Sequence, residues 1–407
     1  MRRSFFPHLS AALCSASIIL LSGGCGTSRP AATKVELVER QNALRTRQGE
    51  LFNSAIEKLT ARLEAQVAAN KAAGSSAPPE LNLLAISGGG DWGAFGAGFL
   101  VGWGSVTDPE FKRPQFDAVS GVSTGALIAP FAFVGTPEAL ERVEYLYRHP
   151  SSNWVELRDW FVWLPWRSSF MDTSGLQHAL KDAVNDKLIA QIADLSRGGG
   201  LLLVGTTDLD NGTMIAWDVG RQCEQSIQTH ENSDRVIQLL SASSAIPVAF
   251  PSVFLDKGLY ADGGVTSNLL VRAEYASPNS LIRRWVAAHP NGPFPAIRYW
   301  VLINNQIIAP PQQVQPKWSA VATAALSASI RAATYLQARL VAAQLDYINA
   351  RGWGHCEMHV VSIPGDWQPP EKGDFNPAVM NNLADLGRKM GADPKSWELF
   401  TMPLSQR

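Results

Sequence analysis

Apolar and polar positions give the chain three textures. From Val35 to Asn70 the segment VELVERQNALRTRQGELFNSAIEKLTARLEAQVAAN is rich in good helix formers, and Leu44, Leu51, Ile56, Leu59 and Leu63 recur every three to seven residues. That spacing predicts one long amphipathic helix. The Gly, Ser and Pro residues of KAAGSSAPP end it and read as a linker. Two placements fit the pattern: a spacer from a membrane, or a layer packed on the rest of the chain.

Beyond the linker, short apolar runs alternate with helical stretches. LNLLAIS (81–87) has the unbroken apolar character of a strand buried on both faces. A glycine-rich turn and a helical segment follow, then FDAVSG (116–121) as a second strand and ALIAPFAFVG as a second helix. This order implies a parallel sheet covered by helices. Further strands are expected at 200–209, 213–219, 252–260 and 298–306, and an alanine-rich helix from about Trp318 to Ala350. The last forty residues, with Pro369, Pro370 and Pro377, read as irregular before a short closing helix.

The third texture is the beginning. MRR is followed by an apolar run of 13 residues, Leu9 to Leu21, and then by the small residues SGGCG. A positive start, a short apolar run and small residues make an export signal, and the run is shorter than the roughly 20 residues of a membrane span. Cys25 resembles the acylated cysteine of bacterial lipoproteins, although Ser22 stands where those signals usually place leucine. The expectation is an exported protein, lipid-anchored through Cys25 to a bacterial outer membrane, or otherwise periplasmic or secreted. Removing residues 1–24 takes away Arg2 and Arg3, so the net charge of −1 becomes −3.

Composition narrows the function classes. Charged residues make up 17% of the chain, below the roughly 25% typical of soluble domains, and no basic excess points to nucleic acid. Cys223 and Cys356 are left in the body of the chain, where an oxidising compartment would permit a disulfide. No Cys/His spacing suggests a metal site.

The chemistry is carried by three short stretches. SGGGDWGAFGAG follows the first strand and satisfies G-x-G-x-x-G at Gly88, Gly90 and Gly93, a pattern that needs an acidic residue at the end of the second strand to hold a ribose. The second strand ends instead in Gly121-Val122-Ser123-Thr124-Gly125. A G-x-S-x-G at a strand-to-helix turn lifts a serine Oγ off the backbone and aims a helix N-terminus at it. The amides of Gly88, Gly89 and Gly90 then read as an oxyanion hole, with the N–H of Thr124 beside them. None of His149, His178, His230, His289, His355 and His359 sits in a setting that marks a base. Asp262, in YADGGVTSNLL (260–270), ends an apolar strand and is followed by Gly263 and Gly264, which allow backbone to crowd a reacting centre. A carboxylate of pKa about 4 is a weak base for an alcohol; burial would strengthen it.

Glycine loop, G-V-S-T-G and A-D-G-G, in that order and each at a strand end, resemble the patatin-like phospholipase family. SASSAIPVAFPSV (241–253) and TTDLDNG (206–212) are similar to that family's segments, and the resemblance spans roughly residues 81–306. It implies a three-layer α/β/α fold with a mainly parallel central sheet and a hydrolase that uses neither metal nor cofactor. By position, Ser123 is the nucleophile, Asp262 its proton acceptor, Gly88, Gly89 and Gly90 the oxyanion hole, and Gly121, Gly125, Gly263 and Gly264 supporting residues. Two departures stand out: Trp92 occupies a position where the family often has a basic residue, and Asn268 is followed by Leu269 and Leu270 instead of an Asn-x-Pro.

The expected organisation is a signal at 1–24, a helical segment and linker at 25–79, a catalytic domain at 80–310, and a C-terminal helix and tail at 311–407 packed on it. The expected activity is carboxylic ester hydrolysis on a lipid, phospholipid being what the resemblance implies, at a membrane surface. Trp154, Trp160, Trp163 and Trp166 (within 153–170) are candidates for an acyl groove, a membrane interface or ordinary core. A histidine-using α/β-hydrolase and a catalytically inactive lipid-binding lipoprotein remain the alternatives.

Overall fold

A computed structural model describes residues 29, 31–151, 154, 156–157, 169, 171–229, 233–247, 249–273, 275–308 and 311–401. The expected export segment with Cys25, and Trp160, Trp163, Trp166 and His230, lie outside the described residues. Helix α1 (Lys34–Ala72) leads to strand β1 (Glu80–Ile86), helix α2 (Gly93–Trp103), strand β2 (Ala118–Val122) and helices α3 (Thr124–Val134) and α4 (Pro137–Arg148). A small ribbon of β3 (Glu156–Leu157) and β4 (Met171–Asp172) precedes α5 (Ser174–Ala183) and α6 (Asp186–Arg197). Next come β5 (Leu201–Asp208), β6 (Thr213–Asp218), α7 (Val219–Thr229), α8 (Asp234–Ser243), β7 (Val253–Leu255) and β8 (Gly258–Asp262). The chain closes with α9 (Leu281–Ala288), β9 (Ala296–Ile303), α10 (Trp318–Ala350), β10 (His355–Ser362), α11 (Pro377–Gly391) and β11 (Glu398–Leu399).

The sheet runs β11-β10-β9-β1-β2-β5-β8-β7, with β6 also paired to β5. The central strands β10, β9, β1, β2 and β5 pair in parallel, and antiparallel strands close both sides. Side chains alternate between two buried faces, as the period of a strand requires. On one face Leu84, Ile86, Val119, Leu202, Val204 and Leu302 pack under α2 to α4, α6 and α11. On the other, Leu81, Ala85, Leu201, Ile297, Val301 and Val360 pack under α1, α9 and α10. The result is a three-layer α/β/α fold with a mainly parallel central sheet, as expected.

Of the two placements open to α1, the structure shows it packed on the sheet. Leu44, Ala55, Leu59 and Leu63 are buried, and polar residues fix the seam. Arg62 Nε donates to Asp117 Oδ1 at 2.6 Å, Arg40 pairs with Asp208 at 2.5 Å, and Gln66 exchanges two hydrogen bonds with the Glu80 backbone (2.6 and 2.8 Å). Thr33 and Glu36 form a capping box at its start.

Two local readings need correction. The single strand expected at 252–260 is the hairpin β7–β8, because Asp256 and Lys257 both take positive φ (47° and 65°), the requirement of a tight two-residue turn. The last forty residues are more regular than their prolines suggested: β11 joins the sheet beside β10, and α11 is 15 residues long. α11 lies against α2 at backbone contact. A Cβ on Gly98 or Gly102 would overlap the carbonyls of Ala384 and Arg388, and one on Gly387 or Gly391 would overlap those of Phe95 and Phe99. Cys223 on α7 and Cys356 on β10 are both free and sit in the cores on opposite faces of the sheet. Among the described residues no helix is long and apolar enough to cross a membrane.

Candidate active site

β2 delivers Ser123 to the sheet's carboxyl end, where open α/β folds place their sites. Ser123 has φ 56° and ψ −127° and is the N-cap of α3. This is the left-handed side of backbone space, costly for a residue with a side chain and held only when the surroundings enforce it. Three contacts enforce it. The Ser123 N–H donates to Ser243 Oγ at 3.0 Å, and that hydroxyl donates in turn to Gly205 O at 2.6 Å. A Cβ on Gly121 would overlap the Gly125 carbonyl, and one on Gly125 would overlap the Ile86 carbonyl. The elbow therefore has no room for other residues at either flank.

Asp262 arrives from the far side of β5: β8 pairs with β5 antiparallel, with Asp262 opposite Thr206. Its carboxylate faces the Ser123 hydroxyl, which lowers its pKa, and its Oδ1 accepts the Gly264 N–H at 2.7 Å. The Asp262 backbone is fixed through N–H to Ala245 O (2.9 Å) and through its carbonyl, which accepts from Thr207 Oγ1 (2.9 Å). Gly263 backs directly onto the Gly205 backbone, where a Cβ would meet the carbonyl at 2.5 Å. Asp262 is only 5% exposed. Burial raises its pKa to about 6, opposed by the hydrogen bonds from Ser123 and Gly264. A buried carboxylate that titrates near neutrality and touches a strained serine is a competent proton acceptor.

The glycine loop approaches from β1. A Cβ on Gly88 would overlap Asn268 Oδ1 and lie 2.8 Å from Ser123 Cβ, so the loop and the elbow are mutually fitted. The Gly88 N–H is engaged, donating to Asn268 Oδ1 at 3.0 Å, while Asn268 Nδ2 donates to Thr334 Oγ1 of α10 at 3.1 Å. Gly90, at φ 62°, opens a single 3-10 turn and lines the same cavity as Ser123 and Thr124. The N–H groups of Gly89, Gly90 and Thr124 have no partner among the described residues. Of the three glycines singled out in sequence, two thus keep a free donor, and Thr124 at the first turn of α3 adds a third.

Ser123 opens onto a narrow apolar slot of about 70 Å³, walled by Leu127, Phe131, Leu146, Leu180 and Phe250. Trp154, one of the four clustered tryptophans, also lines it. Phe375 reaches the slot from the loop between β10 and α11. Its N–H donates to Asp91 Oδ2 at 2.9 Å, and its ring lies 6.3 Å from that of Phe250. Burial, with Asp374 nearby, raises the pKa of Asp91 to about 6. Trp92 stacks edge-on against Trp367, centroids 5.1 Å apart, and does not line the slot.

No described histidine lines the slot. His149 and His178 contact backbone carbonyls one turn away, His289 pairs with Glu64, and His355 and His359 both meet Glu357. Sequence reasoning missed Ser243, Asn268 as the tether of Gly88, and the Asp91–Phe375 contact. SASSAIP flags a serine-rich helix end, but nothing in it tells which hydroxyl faces the elbow.

Comparison with known proteins gives one family. The model described as patatin-like phospholipase matches residues 84–275, the span that holds the end of β1, the elbow, β5, β8 and Asp262. Comparison with curated proteins gives no match. Among solved structures the chain is similar to VipD from Legionella pneumophila, at 13% identity and a TM-score of 0.33, over 81% of this chain and 69% of that one. Residues 84–275 are a patatin-like phospholipase domain, a domain family of lipid acyl hydrolases.

Proposed function

We propose that the protein hydrolyses lipid carboxylic esters through a Ser123–Asp262 dyad. The observation that carries this reading is a strained serine whose hydroxyl faces a buried carboxylate, set between an apolar slot and backbone donors that have no partner among the described residues. With the acyl chain in the slot, the ester carbonyl carbon lies over Ser123 Oγ. Oγ attacks, its proton passes to Asp262, and the carbonyl oxygen takes the negative charge. The N–H groups of Gly89, Gly90 and Thr124 and the N-terminus of α3 stabilise that oxyanion. Collapse breaks the carbon–oxygen bond to the leaving alcohol, which takes the proton from Asp262 and departs, leaving Ser123 acylated. Water then attacks the acyl carbon, gives its proton to Asp262, and the acid leaves as Ser123 Oγ recovers a proton.

The substrate class follows from the slot, whose lining is apolar apart from the elbow, Ser244 and Tyr147. That suits a fatty acyl chain, with the head group left outside. Export with a Cys25 anchor, our reading of the first 25 residues, would hold the enzyme at a lipid surface. Exposed Val321, Leu336 and Leu340 along α10 supply apolar side chains for the same contact. The test is fatty-acid release from phospholipid vesicles by wild type and Ser123→Ala. Release by wild type that is lost in the variant supports the proposal. Equal release by both, or none by either against phospholipids and simple esters, refutes it; the latter favours the inactive lipid-binding alternative.

A further inference from the structure

A second cavity, of about 410 Å³, lies on the other face of the sheet from Ser123 and shares no wall residue with the slot. Its apolar wall is built by Phe52, Ile56 and Leu59 of α1 and Leu201 and Leu203 of β5. From Gly49 to Leu59 the helical wall runs roughly 15 Å, the span of an extended acyl chain.

One end is polar. Ser280 lines the cavity and is the N-cap of α9, yet its side chain caps nothing. It is 4% exposed, and its hydroxyl has no hydrogen-bond partner among the described residues. Buried hydroxyls are ordinarily paired, because leaving one unpaired costs the desolvation of the group. The positive end of the α9 dipole points to the same place, and the Arg272 guanidinium, 5.0 Å from the Phe52 ring centroid, stands at the rim. A volume within the usual range of ligand sites, mostly apolar with a few convergent polar groups, is the ordinary form of a small-molecule pocket.

We infer that this cavity binds a fatty acid, its carboxylate on Ser280 and the α9 N-terminus near Arg272, and its chain between α1 and the sheet. The carboxylate accepts the orphaned hydroxyl, and the chain fills space that water would occupy poorly. The site belongs to α1 and α9 as much as to the sheet and does not depend on any reaction at Ser123.

The test is photolabelling of the full chain with a saturated fatty acid carrying a diazirine on its chain, mapped by peptide mass spectrometry. Adducts are expected between Phe52 and Leu59 and between Ser277 and Ile282, in wild type and in Ser123→Ala alike. Ser280→Ala should lower their yield about tenfold without changing ester hydrolysis. That substitution deletes an unpaired buried group, so folding survives it. A fatty alcohol of equal length should compete about tenfold less well than the acid. Ala55→Trp, which fills the cavity, gives a second check wherever its thermal unfolding matches wild type. Labelling confined to the Ser123 slot, or unchanged in Ser280→Ala, overturns the inference.

Discussion

Replacing Asp262 by Asn removes a charge and keeps a shape. The oxygen that accepts the Gly264 N–H at 2.7 Å remains an acceptor, while the other becomes an NH₂ that can only donate to Ser123. The variant should therefore fold and fail to take a proton. Loss of a positioned general base costs on the order of 10²- to 10⁴-fold in rate, so kcat on a chromogenic ester should fall by at least about 100-fold with KM little changed. Stability should move the other way. The carboxyl is raised from 3.8 to about 6 in the fold, roughly two units, or roughly 3 kcal/mol of penalty on the charged form. Below about pH 4 both folded and unfolded chains hold this proton and no penalty exists. Between about 4 and 6 the native state holds more protons than the unfolded one, so stability falls as pH rises. Above 6 the penalty is complete. Asp262→Asn abolishes it, so the variant should match wild type near pH 4 and be more stable by up to about 3 kcal/mol at pH 8, read by urea unfolding. Wild-type kcat/KM should rise about tenfold per pH unit up to about 6 and then level, because only the carboxylate can accept the serine proton. Activity within tenfold of wild type, or an Asn variant less stable at pH 8, would refute the assignment of Asp262 as a buried base.

Three further outcomes follow from the packing. Ser243→Ala removes the acceptor of the Ser123 N–H and a donor to the Gly205 carbonyl; it should cost about 2 kcal/mol of stability and lower kcat about tenfold, checked by unfolding and steady-state kinetics. Gly88→Ala drives a Cβ into Asn268 Oδ1 and to 2.8 Å from Ser123 Cβ, so ester hydrolysis should be lost while far-UV circular dichroism stays that of wild type. Leu180→Trp narrows the slot, and the ratio of kcat/KM for octanoyl over acetyl esters should fall by roughly tenfold or more.

Much of the sheet was legible because its strands are buried on both faces. LNLLAIS and RYWVLINNQ have no polar alternation to disguise them, and the alanine-rich helix coincides with α10, Trp318–Ala350. The hairpin at Asp256-Lys257 escaped because neither residue is the glycine or asparagine that usually signals positive φ. α11 is longer than the short closing helix expected, because Pro377 does not break it but sits at the first turn of a helix capped by Asn376, where proline is favoured. Gly98 and Gly102 of α2 admit α11 at backbone contact, a pairing visible only once Gly387 and Gly391 face them. At the site, the motifs carry the residues at the ends of strands. What they do not carry is long-range: Ser243 lies 120 residues from the N–H it holds and Asn268 lies 180 from Gly88. Gly88 matches the glycine pattern as well as its neighbours do, yet its amide is already engaged by Asn268.

The measurement that bears most directly on the chemistry is fluorophosphonate labelling of the intact chain, with the modified residue located by mass spectrometry. Wild type should take one adduct, on Ser123, and Ser123→Ala none; Asp262→Asn should be labelled at least about 100-fold more slowly. An adduct on any other serine, or labelling of Asp262→Asn at the wild-type rate, would contradict the dyad.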